Sequence, residues 1–346
     1  SYYAARAERQ RGASLSSEAR RGSIYFSSAD GTLEPVANIK SGHVLYVDPR
    51  KVVDASLLYD SLEPFLELPR DEFLNRAQKR GDPFEAVAYR LNEADVEQVR
   101  LLGEQGVGVA AEEWRHYPKE TTASHVLGFV GFDGDAVVGR YGIERSQEEI
   151  LASGAALSEG ISSALFNWSK KFFRAPLVGA DVVLTIEPEV QLSVEKALDA
   201  LVERWKPERA GAIIMDPQTG KILAMAGRPN FDPNTYGDVP SLDIFINPLI
   251  EYVYELGSVF KPLTLAAAID LGKITPQTTY TDRGFVEING KRIENFDGKG
   301  RGVVSMQDVL NESLNTGAVF AERSIGGLAL RDYFEAFGLA DRTDIE

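Results

Sequence analysis

Apolar and polar positions change period several times along the chain, and each change marks an element. Ser23-Ile24-Tyr25-Phe26, the Asp30-Gly31 turn and His43-Val44-Leu45-Tyr46-Val47 before Asp48-Pro49 predict a small β-rich unit. From Ala55 to Glu104 the period lengthens. Leu57, Leu58, Leu62, Phe65 and Leu66 share one stripe and Val96, Val99 and Leu102 another, with Pro64, Pro69 and Pro83 between, so several short helices are expected. Glycine and β-formers return between Trp114 and Gly142, through Val126-Leu127-Gly128-Phe129-Val130-Gly131-Phe132 and Asp133-Gly134, and predict strand and turn rather than a core helix. Val182-Val183-Leu184-Thr185 reads as a short strand. Pro188 then opens a helix to Trp205 that buries Val190, Val194, Ala197, Leu198, Leu201, Val202 and Trp205. A hairpin follows: Ala212-Ile213-Ile214-Met215, the turn 216–220, and Lys221-Ile222-Leu223-Ala224-Met225. The class is therefore α+β, with helices laid on an antiparallel sheet and a domain boundary near 178, giving domains 1–178 and 179–346.

Composition narrows the function classes. With 346 residues, 44% of them apolar and 26% charged, the chain has material for two cores. Lysine and arginine total 37 against 52 acidic residues, and the net charge of -15 repels polyanions, which argues against nucleic acid as a partner. The absence of cysteine removes disulfides, thiolate nucleophiles and cysteine-ligated metals. Residues 1 to about 21, with Arg6, Arg9, Arg11, Arg20 and Arg21, read as a solvated arm or surface helix. No apolar run reaches the roughly 18 to 20 residues of a membrane-spanning helix. The start at Ser1 lacks a secretory signature, so any export signal or anchor is expected upstream. His116 and His125 lack metal-ligand spacing and carboxylate support, and like His43 are assigned to packing or surface roles.

The chemistry concentrates in 255–272. This stretch reads as one helix opened at Ser258, with Pro262 in its first turn and Gly272 as its stop. Ser258 and Lys261 then share a face, with Cβ atoms about 5 to 6 Å apart. The remaining faces are apolar, so the helix is expected to be buried, and a buried lysine loses the hydration that its charged form needs. A neutral amine beside a hydroxyl at a helix N-terminus is a base with its nucleophile, where amide dipoles favour an oxyanion. The plain alternative makes Ser258 an N-cap and lets Lys261 reach water. Further on, Asn311-Glu312-Ser313-Leu314-Asn315-Thr316-Gly317 separates a helix opened by Ser305 and Asp308 from one over 318–325. Ser313 and Asn315, two apart, do not share a helix face but suit a loop lining a cleft; a simple helix-linking turn is the alternative. Ser-x-x-Lys followed by Ser-x-Asn is two-thirds of a serine acyl-transferase signature. Gly298-Lys299-Gly300-Arg301-Gly302 lacks phosphate-loop spacing and reads as a turn.

With these motifs the chain resembles the class B penicillin-binding proteins, the monofunctional peptidoglycan D,D-transpeptidases of division or elongation. Arg21-Gly22-Ser23-Ile24-Tyr25 resembles the family's opening box, and His125 to Gly131 with Tyr141-Gly142-Ile143-Glu144 its second. Asp181 to Glu187 with Gln191, Met215-Asp216-Pro217, 219–225 and 229–234 resemble the run into the nucleophile helix. The resemblance implies an N-terminal pedestal domain followed by a transpeptidase domain without cofactor or metal. It implies that Ser258 attacks the penultimate D-alanine of a stem peptide, that Lys261 takes the serine proton, that Ser313 passes a proton to the leaving amine, and that Asn315 binds the substrate amide. β-Lactams would acylate Ser258. A cytoplasmic-membrane anchor outside this chain, a catalytic domain in the periplasm or outside the cell, and a membrane glycosyltransferase with other division or elongation proteins as partners are implied as well.

The pattern also departs from the family. Leu256 replaces a frequent proline, and Ser27-Ser28-Ala29-Asp30-Gly31 replaces Asp-Arg-Asn-Gly. The third motif, Lys-Thr/Ser-Gly, is absent after Asn315; Lys40-Ser41-Gly42 precedes the nucleophile and reads as a chance match. With one convincing hairpin in the catalytic half, more sheet is expected beyond Glu346, including a wall of the active site and part of the oxyanion hole, so the chain is expected to be an incomplete transpeptidase domain. Two other readings remain open: a D,D-carboxypeptidase or β-lactamase passing the acyl group to water, and a non-catalytic wall-binding scaffold.

Overall fold

A computed structural model describes residues 20–79, 81–133, 136–152, 179–343 and 345. Most of the expected arm, residues 1–19, and the boundary expected near 178 lie outside the described residues. The chain divides into two compact units, one reaching Tyr252 and the other running from Val253 to Ile345.

In the first unit, β1 (Ile24–Ser27) pairs with β2 (Leu33–Val47), which is longer than the 43–47 strand the sequence predicts. Helices α1 (Ala55–Leu62) and α2 (Arg70–Ala77) precede β3 (Glu85–Leu91), then α3 (Glu93–Leu102) and β4 (Val107–His116). β2 carries the chain between two cores. Val36 and Ala37 join Ile24 and Phe26 in one, while Leu45 and Val47 join Leu58, Leu62 and Phe73 in the other. β4 flanks β2 over Asn38–Val47 on one side, and β3 flanks its end on the other.

β3 corrects the all-helical reading of 55–104. Ala86 faces Val44 and Phe84, whereas Val87, Ala88 and Leu91 join the larger cluster, so the strand is buried on both faces and shows no alternation. The helices around it match expectation in part. Leu58, Leu62, Val96 and Val99 are buried, but Leu57 and Leu102 of the predicted stripes are exposed.

The sequence groups Arg21 with the polar N-terminal segment, but the structure buries its side chain. Its Nε donates to Glu144 Oε2 at 2.6 Å and its Nη2 to Glu148 Oε2 at 2.8 Å, while Arg115 Nε donates to Glu144 Oε1 at 2.6 Å. Glu144, from the helical turn Gly142–Ser146, is fully buried, and Tyr117 completes its shell. Arg115 Nη1 also donates to Gly22 O. A Cβ at Gly22 would lie 2.0 Å from Ala180 O, so this approach requires glycine.

Short strands β5 (Val130–Asp133), β6 (Ala136–Gly139) and β7 (Val182–Val183) lead to α4 (Pro188–Trp205), whose bounds match the prediction. Its buried face matches the predicted apolar stripe only in part. Gln191, Glu195 and Leu198 are buried, whereas Leu201 and Trp205 are exposed. The Gln191 amide bridges backbone and side chain: it donates to Met225 O at 3.1 Å and to Glu195 Oε1 at 2.7 Å, and accepts from Met225 N at 2.9 Å. That docks α4 on the hairpin of β8 (Ala210–Met215) and β9 (Ile222–Arg228).

The second unit opens with a 3-10 turn, Gly257–Phe260, that runs into α5 (Lys261–Asp270). Two further antiparallel pairs follow, which corrects the expectation of one hairpin in the catalytic half: β10 (Thr279–Asp282) with β13 (Gly302–Ser305), and β11 (Phe285–Ile288) with β12 (Lys291–Glu294). The predicted glycine-rich turn joins β12 to β13. Ser305 and Asp308 form the predicted capping box of α6 (Met306–Asn311), and α7 (Asn315–Ile325) and α8 (Gly327–Ala336) complete the unit. Leu265 and Ala268 of α5 pack with Val309, Leu314 and Ala321, which brings the start of α5 to the α6–α7 connection.

Candidate active site

That packing assembles the predicted residues. Lys261 Nζ donates to Ser313 O at 2.5 Å and lies 2.9 Å from Ser313 Oγ, which in turn donates to Ser258 Oγ at 3.0 Å. Lysine, serine and serine form one hydrogen-bonded row, with Ser313 between the amine and the exposed Ser258 hydroxyl. The three-residue spacing predicts a direct pairing of Lys261 with Ser258; among the described residues, the group that reaches both is Ser313 Oγ.

Lys261 is 8% exposed, and its partners here are uncharged oxygens. Burial lowers its pKa below the ordinary lysine value, since removing water penalises the ammonium. The direction matches the expectation, but the reason differs. α5 is not buried all round: Ala266, Ile269 and Asp270 are exposed. Lysine burial comes instead from the face against the α6–α7 connection. Ser258 is not an N-cap either, because α5 follows Phe260 without a side-chain cap.

Ser313 is placed by its backbone. Its φ of 54° lies in the left-handed region, uncommon outside glycine, and turns the chain sharply from α6 into α7 while the neighbouring Leu314 is fully buried. Gly317 lets the two helices approach: a Cβ there would meet Val309 Cγ2 at 2.1 Å. Asn315 stands on the first turn of α7 and donates from Nδ2 to Glu294 O at 2.7 Å. This fixes the amide orientation and leaves Oδ1 to accept from another molecule. The Glu294 carbonyl was missed from sequence, because a backbone atom leaves no residue signature.

The histidines stay outside this arrangement. His125 is buried, with Nε2 3.0 Å from Ile244 O, and desolvation depresses its pKa to about 4. Lys40-Ser41-Gly42 forms part of β2.

Two family models match the chain in the order the elements suggest. Residues 16–160 match the penicillin-binding protein dimerisation domain, and residues 210–346 the penicillin-binding protein transpeptidase domain. The chain belongs to the class B penicillin-binding proteins. Among curated relatives, the stage V sporulation protein D of Bacillus subtilis is 28% identical over 320 residues, 90% of this chain and 49% of the relative. The probable peptidoglycan D,D-transpeptidase FtsI of Caulobacter vibrioides is 28% identical over 304 residues, 88% of the chain and 47% of the relative. The peptidoglycan D,D-transpeptidase MrdA of Escherichia coli is 26% identical over 368 residues, covering 94% and 56%. The chain thus spans about half the length of the curated relatives it matches. Within this penicillin-binding protein the two N-terminal boxes meet at Glu144, so their sequence signal reports packing of the first unit, whereas the Ser-x-x-Lys and Ser-x-Asn motifs meet at Ser258.

Proposed function

We propose that the protein is a peptidoglycan D,D-transpeptidase acting through a serine acyl-enzyme at Ser258. The observation that carries this reading is the row from buried Lys261 through Ser313 Oγ to Ser258 Oγ. With Lys261 neutral, the Ser258 proton passes by way of Ser313 Oγ to Lys261 Nζ as Ser258 Oγ bonds to the carbonyl carbon of the penultimate D-alanine of a stem peptide. The C–N bond to the terminal D-alanine breaks, and the proton held by Lys261 leaves on its amine. An amine of a second stem peptide then attacks the ester carbon, the bond from that carbon to Ser258 Oγ breaks, and the amine's proton passes along the same row back to Ser258 Oγ, leaving the cross-link as an amide. Asn315, anchored on Glu294 O, presents Oδ1 to a substrate N–H.

The wider reading rests on this site and on the family. It takes residues 1–178 as a pedestal and 179–346 as the N-terminal part of the transpeptidase domain. It takes β-lactams as covalent inhibitors, the bacterial cytoplasmic membrane as the location, with the catalytic domain on its outer side, and a membrane glycosyltransferase with other division or elongation proteins as partners. Among the described residues no helix is long and apolar enough to cross a membrane. This reading places the anchor in a segment outside this chain.

Intact mass of the full-length protein before and after benzylpenicillin tests the proposal. One added penicilloyl group mapping to Ser258, absent from Ser258→Ala, is the expected result. An unmodified protein, or an adduct that persists in Ser258→Ala, overturns it. Fast loss of the adduct to water would instead assign a hydrolase.

A further inference from the structure

Beneath the Ser313–Asn315 turn lies a carboxylate to which the reaction above gives no part. Asp282, the last residue of β10, is 2% exposed, and among the described residues no ion pair reaches it. Uncharged donors surround it instead. Oδ1 accepts from Thr316 Oγ1 at 2.8 Å and Gly284 N at 2.9 Å, and Oδ2 from Asn295 Nδ2 at 2.9 Å and Arg301 N at 3.0 Å. Burial alone would raise its pKa, yet these donors more than offset it and leave the pKa lowered, so Asp282 is an anion at neutral pH.

Two of these donors, Thr316 and Asn295, belong to segments that the site needs. Leu314 precedes α7 and has no side chain able to cap it. The cap comes from a residue distant in sequence: Thr316 N donates to Asn295 Oδ1 at 3.3 Å. Asn295 faces that way because its Nδ2 is committed to Asp282 and to Lys299 O. The preceding residue, Glu294, supplies the carbonyl that holds Asn315. Tyr280 OH, 3.0 Å from Thr316 Oγ1, closes the cluster from β10.

We infer that Asp282 is a positioning residue for acyl transfer, which through Thr316 and Asn295 holds the first turn of α7 and so sets where Ser313 Oγ and Asn315 Oδ1 stand relative to Ser258. The inference rests on the acyl-transfer reading. A buried anion serves here because one carboxylate accepts from several segments at once, which a neutral amide of the same shape does not do. Asp282→Asn turns an NH2 group toward donors, and Thr316→Val removes the hydroxyl between Asp282 and Tyr280.

The test uses the full-length protein and a fluorescent penicillin, separating the acylation rate at saturation from the half-saturating concentration, with hydrogen–deuterium exchange of residues 314–318 alongside. A misplaced row is expected to lower the saturated rate about 10- to 100-fold in Asp282→Asn and Thr316→Val, with half-saturation within about threefold of the parent. Thr316→Ser, which keeps the hydroxyl, is expected to recover most of what Thr316→Val loses. Exchange at 314–318 should quicken in the two slow variants while α5 keeps its protection. A parent-like saturated rate in Asp282→Asn overturns the inference, as does a Thr316→Ser enzyme as slow as Thr316→Val. If Asp282→Asn fails to fold, the Thr316 pair decides. A parent that takes up no penicillin at Ser258 refutes the acyl-transfer reading, and the exchange arm then decides separately whether Asp282 orders the turn.

Discussion

Each unit buries a charge, and the two charges are treated in opposite ways. Glu144 in the first unit is fully enclosed, yet two guanidinium groups at 2.6 Å and a phenol surround it. Lys261 in the second is nearly as enclosed and meets only uncharged oxygens of Ser313. Pairing offsets the desolvation of Glu144 and ties Arg21, Arg115 and Gly22 to one point. Lys261 has no such compensation, and the cost of its burial appears as a lowered pKa. Burial of charge therefore does not by itself mark a site; a buried lysine set against uncharged groups, with its pKa lowered, makes a candidate base.

The largest expected effect breaks the comparison at the lysine. In the proposed reaction Lys261 acts as a neutral base, and Lys261→Arg replaces it with a permanent cation, since a guanidinium does not give up its proton in a protein. The acylation rate of the full-length protein with a fluorescent penicillin should fall about 10²- to 10⁴-fold. A rate within about threefold of the parent would mean that another group takes the Ser258 proton.

The next effect strikes Glu144, where charge serves architecture. Glu144→Ala leaves buried Arg115 without a counter-ion and Arg21 with Glu148 alone, and should cost about 3–5 kcal/mol in urea unfolding. The folded fraction should still acylate at the parent rate, because no part of the reaction passes through Glu144. Loss of rate without loss of stability would reverse the roles assigned to the two charges.

How much of this could be read from residues alone differs by element. The helix 188–205 is legible because Pro188 fixes its start and the period runs to Trp205; its buried side is legible only in part, because Gln191 and Glu195 dock through hydrogen bonds rather than apolar area. β3 was hidden by burial on both faces. Strands β10 and β13 are four residues each, too short to show a period, and what holds their ends is Asp282, a contact partner of residues far along the chain. In the site, the spacing of Ser258, Lys261, Ser313 and Asn315 was legible as letters. The left-handed backbone of Ser313, the Glu294 carbonyl and the placing of Ser313 between the other two were not, since they arise from the packing of α5 on α6 and α7.

A pH profile sharpens the comparison further. Acylation should rise about tenfold per pH unit below the lowered Lys261 pKa and level off above it, as the neutral amine becomes populated. The stability linkage has the same sign. Between the folded pKa and the ordinary value of 10.5 the unfolded chain binds more protons, so stability rises with pH through that window and the gain is complete above it. Lys261→Met should remove that rise. A profile that is flat below pH 10, or one that falls, contradicts a neutral lysine base.

The smallest effect tests the uncharged member of the Glu144 shell. Tyr117 is 2% exposed; its hydroxyl lies 3.1 Å from Glu144 Oε1 and accepts from Val130 N at 3.1 Å. Burial first, and the neighbouring carboxylate second, push its pKa well above the usual tyrosine value, so it remains a donor to Glu144. Tyr117→Phe keeps the ring and removes one hydrogen bond on each side, leaving Val130 N unpaired while both guanidinium groups stay on Glu144. Urea unfolding should show a loss of about 1–2 kcal/mol, clearly less than Glu144→Ala. Equal losses in the two variants would mean that the phenol, not the guanidinium pair, makes Glu144 tolerable in the core, and the contrast with Lys261 would then rest on a neutral donor rather than on counter-charge.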